Sequence, residues 1–192
     1  AIQNAKGNNM PHANIEKAIQ KGTGELPGVV YEEAVYEGYG PGGVALLIEI
    51  VTDNKNRTVA DIRHILSKNN GSISTAGSVS WMFDKKGIVV VEDNNITEDK
   101  LMEVVLEYGA DDIIDDNGVF EIVTVPEELE NIKEALRKAS IDFTSANLTL
   151  IPNNFKKIKG KSTEQVLKLM EALEEHEDVQ NVYSNFDIDD EE

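Results

Sequence analysis

One stretch constrains this chain more than any other. Tyr36-Glu37-Gly38-Tyr39-Gly40-Pro41-Gly42-Gly43 runs directly into the apolar Val44-Ala45-Leu46-Leu47-Ile48. Four glycines within six positions permit positive φ and close backbone approach. An uninterrupted apolar run of strand length reads as a strand covered on both faces. The glycines also spell Gly38-x-Gly40-x-x-Gly43, the letters of a dinucleotide fingerprint. That fingerprint needs a strand before it and a helix after it, so that a helix N-terminus can meet the pyrophosphate. Here a β-rich run follows and Pro41 lies inside the turn. Gly38, Gly40, Pro41, Gly42 and Gly43 are therefore read as a tight connection between two strands, and no cofactor is expected.

The polar segment beyond is Thr52-Asp53-Asn54-Lys55-Asn56-Arg57. Thr58-Val59-Ala60-Asp61 resembles a capping box with Asp in place of Glu. Val59, Ile62 and Leu66 recur at helical spacing, and Asn70-Gly71 stops the helix. This reading sets Lys55 and Arg57 just ahead of a helix N-terminus, where free N–H groups favour anions. Arg63 follows within the helix. Two interpretations stand: an ordinary cap with solvated cations, or a phosphate contact.

Charge narrows the partners. The net charge of −18 argues against coating DNA by bulk electrostatics. Acidic residues crowd 92–121, and residues 171–192 hold no Lys or Arg. Basic residues gather at 55–68 and in Lys156-Lys157-Ile158-Lys159-Gly160-Lys161. A polyanion would have to meet those local patches. The chain has no cysteine, which excludes disulfides, thiolate metal sites and cysteine nucleophiles. No apolar run approaches the roughly 18 residues of a membrane span.

Catalytic patterns are sparse. His12, His64 and His176 lie far apart and show no ligand spacing. Asp111, Asp112, Asp115 and Asp116 offer carboxylates for a divalent ion, but strand alternation points some of them apart. Asp116-Asn117-Gly118 is itself a hairpin signal. A solvated edge is the better reading, since edge strands often carry charge. No nucleophile elbow, zinc-protease or phosphate-loop motif is present. The chain is read as a non-enzyme with no metal site; a metal-dependent hydrolase using 111–116 is the alternative.

Periodicity gives the fold class as α+β. Residues 1–28 read as two short helices and a linker, the remnant of an amino-terminal helical domain. Residues 29–83 read strand, strand, helix, strand, the last strand being Ser78–Phe83 with Trp81 packed in a core. Asp84-Lys85-Lys86-Gly87 reads as a turn and a boundary. Residues 84–151 follow the order βαββαβ, the ferredoxin-like arrangement. Residues 152–190 supply a short strand, a helix capped near Ser162 and a final strand over Val179–Ile188. The expected organisation is one domain split between 29–83 and 152–190, with 84–151 inserted; contiguous tandem domains are the alternative.

Several motifs carry a family resemblance: Asn9-Met10-Pro11 with Asn14-Ile15-Glu16, Lys21-Gly22-Thr23-Gly24, the glycine stretch 36–43, Thr52 to Thr58, and Gly77-Ser78-Val79 before Trp81-Met82-Phe83. In this order they resemble the YebC/PmpR family. The resemblance implies an amino-terminal helical domain and two α+β domains, the third inserted in the second. It also implies a further basic helical segment ahead of this chain's first residue, and a cytoplasmic regulator of gene expression. Some members are DNA-binding transcriptional regulators; others are ribosome-associated translational activators, acting at difficult sequences such as proline runs. Nucleic acid or the ribosome is the implied partner, with protein contacts on the sheet faces as a further possibility and no membrane. On this reading Lys55, Arg57 and Arg63 contact phosphates, assisted by Lys17 and Lys21.

Overall fold

In the computed structural model, which describes residues 2–7, 10–23, 30–92 and 96–188, the chain opens with helices α1 (Ile2–Gly7) and α2 (His12–Gly22). Strand β1 (Glu32–Tyr39) and strand β2 (Ala45–Thr52) then pair antiparallel, from Tyr39 opposite Ala45 to Glu32 opposite Thr52. The glycine stretch joins them as a single 3-10 turn over Pro41–Gly43. Gly40 N–H donates to the Val44 carbonyl at 2.8 Å, and Gly42 and Gly43 take φ of 72° and 77°. Side chains rarely tolerate that region, which is why glycine stands there. Helix α3 (Lys55–Lys68) and the two-residue strand β3 (Ser72–Ile73) follow. β3 pairs with β1 opposite Gly38, where an added Cβ would lie 2.7 Å from the Ser72 carbonyl oxygen. Ser72 and Ile73 thus add a short strand that the sequence reading did not include.

The second segment runs β4 (Phe83–Glu92), α4 (Glu98–Val105), β5 (Ala110–Asp116), β6 (Val119–Thr124), α5 (Leu129–Lys138) and β7 (Ser145–Pro152). Its sheet order is β5-β6-β4-β7, all antiparallel. This is the split βαβ order of ferredoxin-like folds. Thr97 caps α4 by accepting from Lys100 N–H, and Asn117 and Gly118 take the positive φ of the hairpin turn. Leu101 and Val105 of α4 and Ile132 and Leu136 of α5 pack on Val89, Val91 and Ile122 of the sheet.

Two expectations fail at the entrance to β4. Residues 84–87 are strand, not turn: Gly87 pairs with Thr124 and Lys86 with Thr149. The pairing partners on both sides supply the hydrogen bonds that local composition did not advertise. Residues 80–82 form a 3-10 turn instead of a strand, and Trp81 is 64% exposed instead of packed in a core.

The chain closes with β8 (Lys156–Ile158), α6 (Lys161–Glu174), β9 (Val179–Ser184) and β10 (Phe186–Ile188). The expected single strand over 179–188 is broken at Asn185, whose Oδ1 accepts from Ala45 N–H at 2.8 Å. β9 joins β2, giving the order β3-β1-β2-β9, while β10 pairs in parallel with β8. α6 starts behind Gly160, at φ 56°, with no side-chain cap; Ser162 does not cap it. Leu46, Ile48 and Ile50 of β2 face Ile62 and Leu66 of α3 and Val166, Leu169 and Leu173 of α6. The chain therefore makes two compact units, one from residues up to 80 with those from 156 on, the other from 81 to 155.

Candidate nucleic-acid interface

The start of α3 is organised from inside the unit. Asn54 is the N-cap: its Oδ1 accepts from Arg57 N–H at 3.2 Å and its carbonyl accepts from Thr58 N–H at 3.1 Å. The helix thus begins at Lys55, earlier than the Thr58 capping-box reading. Lys55 and Arg57 lie within the first turn instead of ahead of it. Thr58 cannot cap because its side chain is fully buried and turned inward. Its hydroxyl donates to Asp178 Oδ2 at 2.6 Å and lies 2.8 Å from the Thr52 hydroxyl.

Asp178 is the hub. It is buried just ahead of β9 and accepts from Thr58, Thr52 (3.1 Å) and Arg57 Nη2 (3.1 Å). Burial alone would push its carboxyl up, but the donors from Thr58, Arg57 and Thr52 with the guanidinium charge hold it below the usual aspartate value. The same bond, with Asp53 beside it, raises the Arg57 guanidinium still further. Asp53 Oδ1 also takes Nη2, at 3.0 Å. Every bond Arg57 makes runs through Nη2, so Nε and Nη1 engage no acceptor among the described residues. The side chain remains 45% exposed.

The other expected cations are less fixed. Lys55 Nζ sits 2.5 Å from Glu32 Oε2, an exposed pair. Arg63 is exposed on α3 and has no ion pair among the described residues. Lys17 is exposed on the separate helix α2, and the Lys21 side chain lies outside the described residues. The structure therefore gathers Lys55, Arg57 and Arg63 on one helix and leaves Lys17 on another. Lys156, Lys157, Lys159 and Lys161 are exposed around β8 and the start of α6.

A second buried carboxylate escaped sequence reasoning. Glu37 accepts from Gly77 N–H and Val79 N–H at 2.7 Å each and from Ser80 N–H at 3.0 Å. Burial works against its ionisation, yet these donors hold it below the usual glutamate value. It pins the loop 77–80 against β1. Nothing local signals either acid. Glu37 stands 40 or more positions from its donors, and Asp178 stands 120 from Thr58.

The acidic run 111–116 lies on edge strand β5. Its carboxylates serve local ends: Asp115 takes Gly118 N–H, Asp116 takes the Asn117 amide, and Asp111 pairs with Lys86. Among the described residues no cluster of His, Asp and Glu is arranged to hold a metal ion. His12 pairs with Glu16, and His176 lies 3.6 Å from Asp61. No described helix is long and apolar enough to cross a membrane.

The fold and this site define an α+β protein with a ferredoxin-like sandwich and a carboxylate-anchored cationic helix start. The chain belongs to the TACO1/YebC family, whose model for the second and third domains matches residues 31–186. It is 52% identical to a protein of Natranaerobius thermophilus named probable transcriptional regulatory protein, covering 99% of this chain and 77% of that one. A Geobacter sulfurreducens protein of the same description is 54% identical, covering 100% and 77%. The crystal structure of a conserved hypothetical protein from Aquifex aeolicus superposes with a TM-score of 0.86 at 43% identity, over 99% of this chain and 79% of that one.

Proposed function

We propose that this protein is a non-enzymatic, cytoplasmic regulator of gene expression that grips the phosphate backbone of nucleic acid with the first three turns of α3. The observation that carries this is the anchoring of Arg57. A buried carboxylate fixes one nitrogen of the guanidinium, and the remaining donors of its fork engage no acceptor among the described residues. With Nη2 taken by Asp53 and Asp178, Nε–H and Nη1–H are left to donate single charge-assisted bonds to phosphate oxygens. Its rotamer is already set, so less entropy is lost on binding. Lys55 and Arg63 are carried by the same helix. Lys55 can leave Glu32 at small cost, because exposed ion pairs contribute little. Lys17 and Lys21 on α2 extend the contact. Phosphate contacts position without specifying sequence. The name shared by the relatives favours duplex DNA in transcription; a ribosome-associated role is the alternative.

The test is a binding titration of the full chain against duplex DNA, single-stranded RNA and ribosomes over a range of salt. The triple variant Lys55→Ala, Arg57→Ala, Arg63→Ala should bind more weakly, with the slope of log K against log salt reduced by about 2 to 3. The double variant Lys55→Ala, Arg63→Ala keeps Asp178 paired and should lose about 2 from the slope. Unchanged affinity and slope for every polymer in both variants would overturn the assignment.

A further inference from the structure

The sheet β3-β1-β2-β9 packs its helices on one face. Leu46, Ile48 and Ile50 of β2 and Ala34 and Tyr36 of β1 lie on that side. Strand alternation sends Glu33, Val35 and Glu37 of β1 and Leu47, Glu49 and Val51 of β2 to the other face. At one end of it the loop 77–80 is held by Glu37, and Leu47 is 4% exposed. The other end is open. Val35 is 51% exposed there, in a groove of about 430 Å³ whose lining includes Glu33, Val35, Glu49, Val51 and Asn181. A sheet face left to water ordinarily carries polar side chains, so valines on it mark a contact surface. Charge identifies the contact. None of the four strands holds a Lys or Arg. Glu49 Oε2 accepts from the Asn181 amide at 2.9 Å and from the Tyr183 hydroxyl at 3.3 Å. Glu32, on the helix face, is taken by Lys55. Glu33 and Glu49 meet no cation among the described residues.

We infer that this groove docks an arginine- or lysine-rich segment of a protein partner. One cationic side chain of the partner sits between Glu33 and Glu49, with its aliphatic stem on Val35 and Val51. Val35 pairs with Glu49 and Val51 with Glu33, so the two carboxylates stand on a diagonal of the β1–β2 pair. That diagonal spans roughly 7–8 Å, within the reach of one long cationic side chain. Such side chains lay their stems on apolar surface while the charged head stays among polar groups. Glu49 is already oriented by Asn181 and Tyr183, so less entropy is lost on docking. The surface lies on the opposite face of the sheet from α3. It adds a protein partner to the nucleic-acid reading and does not depend on it.

The full chain is titrated with a short labelled peptide of alternating arginine and leucine, and with its glutamate–leucine counterpart. Anisotropy reads affinity, and backbone amide shifts read the place. The basic peptide should bind, the acidic one should not, and the shifts should centre on Val35, Glu49, Val51 and Asn181. The double variant Glu33→Gln, Glu49→Gln should weaken binding about five- to thirtyfold. Glu103→Gln with Glu107→Gln removes the same charge from exposed positions of the other unit and should change affinity less than about twofold. Val35→Lys, at an exposed position, supplies the missing cation from within and should abolish binding. Equal weakening by the two double variants, equal binding of the acidic peptide, or shifts that leave these strands untouched would overturn the docking surface. Failure of the basic peptide to bind at low salt would overturn it as well. None of these results bears on the α3 contact, which the nucleic-acid titration tests separately.

Discussion

Glu37→Gln isolates the loop clamp. The substitution keeps side-chain length and shape while removing the charge. Three backbone donors now meet a carboxylate at 2.7, 2.7 and 3.0 Å. Bonds to a charged acceptor contribute about 1 kcal/mol more than neutral ones, so three lose about 3 kcal/mol. One carboxylate oxygen becomes an NH₂ facing a backbone N–H. A donor such as Val79 N–H, on a fully buried residue, is then left unpaired at about 1–3 kcal/mol. Burying a neutral amide in place of a charge recovers part of this. The net expectation is a loss of about 3 kcal/mol. Urea unfolding of the unit formed by residues up to 80 and from 156 on measures it, and hydrogen exchange at Gly77, Val79 and Ser80 places it. The sign with pH is also determined. The folded carboxyl lies below its ordinary value, so its contribution is complete above about pH 4.3 and is lost as pH falls below that toward the depressed value. The Gln variant should lack this dependence. A loss under about 1 kcal/mol, with unchanged exchange at Val79, would refute the clamp.

The remaining predictions concern the same unit. Asp178→Asn should cost about 2 kcal/mol in urea unfolding, because the Thr58 and Thr52 hydroxyls lose a charged acceptor in a buried site; an unchanged midpoint would show that the hydroxyls re-pair at no cost. The same variant should weaken nucleic-acid binding in the titration above, since Arg57 loses its anchor. Gly38→Ala should cost about 1–3 kcal/mol and open the β1–β3 pairing, since the new Cβ would meet the Ser72 carbonyl oxygen at 2.7 Å; faster amide exchange at Ser74, whose N–H donates to the Glu37 carbonyl at 2.8 Å, is the readout.

Much of the local structure is legible along the chain. The apolar run after the glycines is a strand buried on both faces: Val44, Leu46 and Ile48 are fully enclosed and Leu47 is 4% exposed. Leu129, Ile132 and Leu136 recur at helical spacing and are buried together on α5. Asp116-Asn117-Gly118 makes its hairpin, since Asn and Gly accept the φ the turn requires. These features depend on a few neighbouring residues, and the α+β class follows from their sum.

The misses share one cause. Thr58 has the letters of a cap, but a carboxylate 120 positions away draws its hydroxyl into the core, and Asn54 caps instead. Residues 84–87 have the composition of a turn, but strands on both sides pair with them. Trp81 has the hydrophobicity of a core residue, yet the chain path leaves it in water. The basic residues of α3 could be named from the sequence as candidates for phosphate; that Arg57 is anchored through one nitrogen by Asp178 could not. Hydrophobic period, turn chemistry and charge are written locally, and they determined the elements and the faces those elements bury. The anchored arginine, the loop held by Glu37 and the exposed ring of Trp81 were decided by tertiary structure, because each depends on groups that only packing brings within a few ångströms.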